Sequence, residues 1–135
     1  MDKDKEYYTW AQFDDDCKKI KNWAIGLNFK NIFAIPRGGL VLGVCLSHLL
    51  DMPMIFEVKD ITEATLVVDD INDSGKTLQA LQAKIGNLPI KTATLFSERK
   101  SVFVPAFFCR EKTKWVVFPW ETDETSKYDN TSAAL

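Results

Sequence analysis

The stretch that decides the fold is residues 65–80, TLVVDDINDSGKTLQA. Its apolar run at residues 66–68 is short and rich in valine, which is typical of a strand buried on both faces of a parallel sheet. Asp69 and Asp70 follow at the carboxyl end of this strand, and a small glycine-containing turn then opens a helix. Ligands of open α/β sheets bind outside the carboxyl ends of the strands. These residues therefore predict a binding site where the strand, the turn and the helix meet.

The turn after the strand has the composition of an anion site. The backbone N–H groups around Gly75, the hydroxyls of Ser74 and Thr77 and the positive end of the helix dipole all favour a bound anion such as phosphate. A polar connection that binds nothing is the plain alternative. The two adjacent carboxylates weigh against it, because they would repel each other and the anion unless a diol or a metal ion occupied them.

A P-loop is a further alternative, since Gly75, Lys76 and Thr77 match the end of that motif. The motif also needs a glycine five positions before the glycine of this triplet. Asp70 stands at that position, so we reject the P-loop.

Composition indicates a globular protein of one domain. The chain has 135 residues, of which 46% are hydrophobic and 27% charged, and these shares are ordinary for such proteins. We expect the domain at residues 1–121 and a polar tail at residues 122–135. A net charge of −2 without a block of Lys and Arg predicts no nucleic-acid partner. Because the longest apolar stretch, residues 38–50, is too short to span a bilayer, we expect a cytoplasmic protein without a membrane partner.

The cysteines and the charged residues of the first helix are expected to be structural. Cys17, Cys45 and Cys109 are widely separated and form no CxxC pair, so we expect reduced thiols rather than disulfides or a zinc site. The acids at residues 14–16 and the lysines within residues 18–21 are expected to form the solvated face of an amphipathic helix that begins after Thr9.

Strands and helices alternate along the chain. Apolar runs at residues 31–36, 53–58, 65–69 and 91–97 predict strands, and helical patterns lie between most of them. This alternation predicts an α/β fold in which a twisted, mostly parallel sheet is flanked by helices.

Residues 67–77, VVDDINDSGKT, resemble the phosphoribosyl pyrophosphate (PRPP) signature of type I phosphoribosyltransferases. The resemblance implies the fold of that family, with a small C-terminal hood over the sheet. It also implies that Asp69 and Asp70 hold the ribose hydroxyls of PRPP, directly or through magnesium. In family members that act on purines, the acid matching Asp73 lies near purine N-7 and is the favoured general base. The residues that would cradle the 5′-phosphate are Asp73, Ser74, Gly75, Lys76 and Thr77.

A second glycine turn follows the strand at residues 31–36. Taken alone, Arg37-Gly38-Gly39 is a plain connection between a strand and a helix. The segment IPRGGLVLG, residues 35–43, resembles the pyrophosphate loop of the same family. This likeness implies that Arg37 and the backbone of Gly38 grip the departing diphosphate. Family members often hold a non-proline cis peptide in this loop.

The aromatic segment at residues 114–121, KWVVFPWE, is by itself typical of a strand in the core or on a sheet surface. It resembles the C-terminal purine-site segment of xanthine-guanine and hypoxanthine phosphoribosyltransferases. The match implies that Trp115 stacks on the base and that Val116 offers main-chain contacts to its edge. Glu121 would help to hold the metal or form the pocket wall.

The residue expected to contact position 6 of the base departs from the family pattern. Members that act on 6-oxopurines place a Lys at the end of the strand matching residues 91–98, and this chain has Glu98 there. A carboxylate accepts hydrogen bonds only, so Glu98 would prefer an exocyclic amine. Lys100 would share its face if the strand continued, which leaves both residues as candidates for base binding.

The connection before the signature strand also departs from the family. Members carry a long mobile loop there that covers the reacting centre, whereas only residues 59–64 connect the two strands in this chain. Without such a lid, a cationic ribosyl transition state would be open to water. A partner subunit supplies the cover, or the enzyme is slow, or the chain is no longer a transferase.

Together these features predict a magnesium-dependent homodimeric enzyme of purine salvage that transfers the 5-phosphoribosyl group of PRPP to a purine-like base and releases diphosphate. Asp73 and Arg37 are its expected catalytic residues, and Asp69, Asp70 and Glu121 are its expected metal ligands. The alternative from another class is a non-catalytic PRPP- or nucleotide-binding regulatory module that has lost the lid. A purely structural protein on this fold is a third possibility.

Overall fold

The computed structural model describes residues 3–127, which form seven strands, three α-helices and two short 3-10 helices. The strands and α-helices, in chain order, are β1 (Lys5–Tyr7), α1 (Trp10–Ala24), β2 (Asn31–Ala34), α2 (Gly39–Leu50), β3 (Met54–Ile55), β4 (Thr65–Asn72), α3 (Lys76–Ile85), β5 (Lys91–Ser97), β6 (Phe107–Glu111) and β7 (Trp115–Val117). The 3-10 helices are Val58–Asp60 and Thr125–Lys127.

Five of the strands form one parallel sheet in the order β3-β2-β4-β5-β6, and β1 and β7 form a separate parallel pair. The predicted α/β fold with a parallel sheet is therefore confirmed. The small pair stands where the hood was expected, but it draws one strand from each end of the described chain. Sequence reasoning missed β6, which is the edge strand beside β5.

The signature strand β4 lies at the centre of the sheet and is buried on both faces, as predicted. Leu66 and Val68 pack in the cluster that contains residues of α1 and α2, whereas Val67 packs in a second cluster with Leu78 and Leu81 of α3. All five side chains are at most 2% exposed. Burial on both faces holds β4 in place, so the position of its carboxyl end is determined by the core.

The first helix begins as predicted, because Thr9 and Gln12 cap it reciprocally through hydrogen bonds of 3.1 Å and 2.9 Å. One acid of its expected solvated face is instead fully buried. Asp16 accepts hydrogen bonds from the Tyr8 hydroxyl at 2.5 Å and from Arg110 Nε at 2.7 Å. Burial is the main cause that raises the pKa of Tyr8 well above its usual range, and the hydrogen bond to Asp16 raises it further. Asp16 thus connects α1 to β6, a long-range contact that helical periodicity does not reveal.

The three cysteines are free thiols, as predicted. Cys17 is buried, and Cys45 and Cys109 are partly buried. Burial raises the pKa of Cys17 and of Cys109 to about 12. No helix within residues 3–127 is long and apolar enough to cross a membrane.

Two predicted segments differ in extent from the structure. The strand expected at residues 53–58 is only Met54–Ile55, and the chain then forms the 3-10 helix at Val58–Asp60 before the buried Ile61. The polar tail expected from residue 122 is folded as far as residue 127, where Thr125–Lys127 form a 3-10 helix. Residues 128–135 of that predicted tail lie outside the described part of the chain.

We predict that Asp16→Ala lowers the free energy of unfolding by about 2–3 kcal/mol, because it leaves the Arg110 guanidinium and the buried Tyr8 hydroxyl without their shared acceptor. Urea unfolding followed by circular dichroism measures the change.

The matched control is Asp14→Ala in the same helix. The side chain of Asp14 is 68% exposed and pairs with Lys18 on the surface, so its removal should cost less than about 0.5 kcal/mol. Equal losses in the two variants would contradict a structural role for the buried carboxylate.

Candidate functional site

A cavity of about 540 Å³ opens at the carboxyl end of the large sheet, between the ends of β2 and β4 on one side and β7 on the other. Seven of the residues predicted from the sequence line it together: Arg37, Gly38, Asp70, Asp73, Trp115, Val116 and Glu121. The other predicted residues do not line it: Asp69, Ser74, Gly75, Lys76, Thr77, Glu98 and Lys100. Asp69 and residues 74–77 are close in sequence to the lining residues Asp70 and Asp73, whereas Glu98 and Lys100 belong to another segment.

Two glycines bring the turn after β2 against the end of β4. A Cβ atom on Gly38 would collide with the carboxylate of Asp70, and one on Gly39 would lie 2.8 Å from the carbonyl oxygen of Val68. The peptide bond between Pro36 and Arg37 is cis, as the resemblance implied. The glycines are therefore required because the backbone of this turn touches the signature strand directly.

The turn after β4 leads into α3 through Gly75, the N-cap residue of that helix. Gly75 has φ of 88°, and a Cβ atom there would lie 2.6 Å from the backbone nitrogen of Phe103. No side chain caps α3 at Gly75, and the Lys76 N–H donates to Ser74 Oγ at 3.3 Å. An uncapped helix start with adjacent hydroxyls suits a phosphate, as the sequence predicted.

Asn72 holds this turn in place, a role that sequence reasoning missed. Its side chain is 3% exposed and its Nδ2 lies within hydrogen-bond distance of Ser97 Oγ, Ser101 Oγ and the carbonyl oxygen of Phe103, at 3.1, 3.0 and 2.7 Å. Between Ser101 and Phe103, the Val102 N–H donates to the carbonyl oxygen of Ser74 at 2.8 Å. Because the three partners of Asn72 lie 25 to 31 residues away in the sequence, only the folded chain reveals this network.

Asp69 and Asp70 are 5% and 6% exposed, and the Asp70 N–H donates to Asp69 Oδ1 at 2.8 Å. Carboxylate oxygens are the ligand type that magnesium takes, and magnesium commonly uses one or two of them together with substrate phosphates. Within residues 3–127 there is no group of three or more possible metal-ligating side chains. Glu121 lines the cavity together with Asp70. Its Oε1 accepts from the Phe118 N–H at 2.9 Å, which stabilises the turn behind the cavity.

The opposite wall of the cavity is aromatic. Trp115 is 41% exposed and so presents ring surface, whereas Val116 beside it is buried. Phe118 and Trp120 stack with ring centres 5.0 Å apart and an angle of 8° between their planes. A flat, apolar wall of this kind suits a planar aromatic ligand.

Residues 122–127 close one side of this aromatic wall, although the sequence predicted a tail there. Ser126 is buried and accepts from Trp115 Nε1 at 3.2 Å, and Thr125 also lines the cavity. Asp123 accepts from the Tyr7 hydroxyl at 2.9 Å, and this bond, with a smaller effect from Lys5, lowers the pKa of Asp123. The segment is thus tied to β1, a contact between the two ends of the described chain.

Lys112 lines the cavity, whereas Glu98 and Lys100 do not. Its Nζ lies 2.9 Å from Asp73 Oδ1 and 5.6 Å from the centre of the Trp115 ring. Strand β5 ends at Ser97, and the chain then packs against the turn at Ser74, so that Lys100 does not continue along the strand. The neighbouring strand β6 continues the sheet edge and delivers Lys112 instead. The run of apolar residues before it, PAFF at residues 105–108, was the available signal for this strand.

The connection at residues 56–64 contributes nothing to the lining of this cavity. It packs instead through Ile61 into the cluster beneath α3. In the structure, residues 56–64 thus form a short connection that packs away from the cavity.

Comparison with known proteins places these features in one family. No family model matches the chain. It is 26% identical over 138 residues to the xanthine-guanine phosphoribosyltransferase of Desulfotalea psychrophila, with 85% of each chain covered. Among solved structures, it is 30% identical to a purine phosphoribosyltransferase from Pyrococcus horikoshii, with a TM-score of 0.78 over 88% of this chain and 95% of that one. The xanthine-guanine-hypoxanthine phosphoribosyltransferase of Helicobacter pylori shares the fold at 23% identity, with a TM-score of 0.74 over 91% and 97% of the two chains.

We predict that Asn72→Ala lowers the free energy of unfolding by about 1–3 kcal/mol, because it removes the donor shared by three buried or partly buried acceptors. Hydrogen exchange of the Val102 amide should become faster in the same variant, since that amide closes the anchored segment.

Asn87→Ala is the control, because Asn87 is exposed in the turn after α3 and should change stability by less than about 0.5 kcal/mol. Unchanged exchange at Val102 in Asn72→Ala would show that the segment is held by other contacts.

Proposed function

The chain belongs to the type I phosphoribosyltransferase family and within it resembles the purine enzymes, and on this premise we propose that it transfers the 5-phosphoribosyl group of PRPP to a purine-like base and releases diphosphate. The observation that carries the proposal is the convergence of three separate segments on one cavity. They are the turn at Arg37 and Gly38, the acids at the end of β4, and the aromatic wall that begins at Trp115. These segments are the ones that would hold the diphosphate, the ribose phosphate and the base.

The ribose 5-phosphate part of PRPP would bind along the end of β4. The backbone N–H groups at the start of α3, with the hydroxyls of Ser74 and Thr77, would hold the 5′-phosphate. Asp69 and Asp70 would accept hydrogen bonds from the ribose hydroxyls. The contact of Gly38 with Asp70 would bring the diphosphate and ribose sites next to each other.

The diphosphate would leave toward the turn after β2. Arg37 would pair with its oxygens, and the backbone of Gly38 would offer a donor at close range. Asp69 and Asp70 are the side chains that would share magnesium with the diphosphate. When bound there, magnesium would neutralise negative charge on the leaving group.

The base would lie between Trp115 and the end of β4. N-9 of the base would form a bond to the ribose carbon as the bond from that carbon to the diphosphate oxygen breaks, and the diphosphate would leave with the electron pair. The proton lost from the base at N-7 would pass to the Asp73 carboxylate, which lines the cavity and is half exposed. The main chain at Val116 would hold the edge of the ring.

The short connection at residues 56–64 sets a condition on this reaction. With no cover from that segment, water would have access to the reacting carbon, so turnover would be slow or a second copy of the chain would supply the cover. We further propose that the chain is a cytoplasmic homodimer that acts in purine salvage.

Incubation with PRPP, magnesium and a panel of purine bases, with diphosphate release as the readout, tests the proposal. We expect release that depends on both PRPP and at least one base. Binding of PRPP with no release from any base would favour the regulatory module, and failure to bind PRPP would favour a structural protein.

Asp73→Asn should lower kcat by about 10²- to 10⁴-fold, because an amide cannot accept the proton from the base. The dissociation constant for PRPP, measured by calorimetry, should stay within about threefold, since the 5′-phosphate would be held mainly by backbone groups.

Asp60→Asn is the control, because Asp60 is exposed in the 3-10 helix at Val58–Asp60 and does not line the cavity. A parallel loss of PRPP binding and turnover in Asp73→Asn would remove Asp73 from the role of general base.

A further inference from the structure

We propose that Lys112 donates a hydrogen bond to an oxygen at position 6 of the base, so that this chain selects 6-oxopurines over 6-aminopurines through a lysine of β6 rather than of β5. The inference rests on the proposed function, because it names the class of base that the same cavity accepts. It also replaces the roles expected for Glu98 and Lys100.

The Lys112 ammonium is well placed inside the cavity. Its side chain is 14% exposed, and its Nζ is 2.9 Å from Asp73 Oδ1. Among the residues that the structure describes, Asp73 is the one side chain that pairs with this ammonium. An ammonium has three N–H donors, so two remain for a ligand.

The position of Lys112 follows from the register of the sheet. Glu111 lies opposite Ser97 at the end of β5, and the Lys112 N–H donates to the carbonyl oxygen of Ser97 at 2.9 Å. Two residues earlier, Arg110 is anchored on the buried Asp16. The backbone of Lys112 is thus fixed beside the ends of β4 and β5, and the side chain can reach the cavity without further rearrangement.

Asp73 and Lys112 present an acceptor and a donor side by side. A carboxylate has lone pairs for several hydrogen bonds, so Asp73 can bind Lys112 through Oδ1 and still accept from the N-7 proton of a base through its other oxygen. In a 6-oxopurine the oxygen at position 6 is adjacent to N-7 and accepts, whereas in adenine the group at that position is an amine that donates. The pair therefore matches a 6-oxopurine at both atoms.

Adenine would leave the pair poorly satisfied. Its amine would face the ammonium donor to donor, and the lysine would lose its hydrogen bond to the ligand. Sites built to hydrogen-bond one group discriminate strongly against an analogue that lacks it. Trp115 does not supply this selection, because an aromatic face stacks on both kinds of base.

The test compares Lys112→Met with the unaltered protein. Methionine keeps an apolar stem of similar length and removes the donor. Two readouts are used: kcat/KM with hypoxanthine and with adenine at saturating PRPP, and calorimetric binding of the two product nucleotides, inosine and adenosine 5′-monophosphate, which needs no turnover.

We expect the unaltered protein to prefer hypoxanthine and inosine monophosphate. Lys112→Met should weaken both by about 10- to 100-fold, since a hydrogen bond from a charged donor is lost, and should leave adenine and adenosine monophosphate within about threefold. Lys100→Met is the matched control, because Lys100 is exposed and lies outside the cavity, and it should change neither preference.

Equal weakening of both nucleotides in Lys112→Met would overturn the proposal, as would a preference of the unaltered protein for adenine. A loss of selectivity in Lys100→Met would also overturn it. Absence of turnover with every base would instead count against the proposed function, and the nucleotide-binding comparison would still decide the role of Lys112. Thermal unfolding of each variant confirms that it is folded.

Discussion

The contact between the Gly38-Gly39 turn and the end of β4 is the constraint on which the rest of the site depends. A side chain at Gly38 would collide with the Asp70 carboxylate, and one at Gly39 would meet the backbone of β4. Parallel pairing of β2 with β4 places these two segments at the same edge of the sheet. The turn that would bind diphosphate and the acids that would bind ribose are consequently neighbours, as a reaction between these groups requires.

The other parts of the site are held by two buried polar networks. Asn72 fixes the segment that packs against the turn after β4, and Asp16 fixes the end of β6 through Arg110. Both networks join residues that lie far apart in the sequence. Because each is buried or partly buried and hydrogen-bonded, the carboxyl end of the sheet is a rigid frame in which Asp73 and Lys112 lie 2.9 Å apart. Such preorganisation is what electrostatic catalysis and base selection both need.

The features that the sequence predicted well are local. The apolar run of β4, the acids after it, the two glycine turns and the Thr9 cap each depend on neighbouring residues, and the structure contains all of them. The features that it missed depend on register between distant strands. Which of Glu98, Lys100 and Lys112 lines the cavity is decided by where β5 ends and by the presence of β6.

The C-terminal region shows the same division. The aromatic residues at 115–120 were recognisable as one wall of a site, whereas the packing of Ser126 on Trp115 was not, because a polar segment carries no periodic pattern. The sequence predicted a short connection at residues 59–64, and its consequence for chemistry depends on what covers the reacting carbon.

The most direct test of the account is to measure which products form from PRPP, magnesium and hypoxanthine, by separating nucleotide from ribose 5-phosphate. We expect one inosine monophosphate for each diphosphate released, since the base would occupy the cavity between Trp115 and Asp73. Ribose 5-phosphate as the main product, or no consumption of PRPP, would contradict the claim that this cavity joins a base to the phosphoribosyl group.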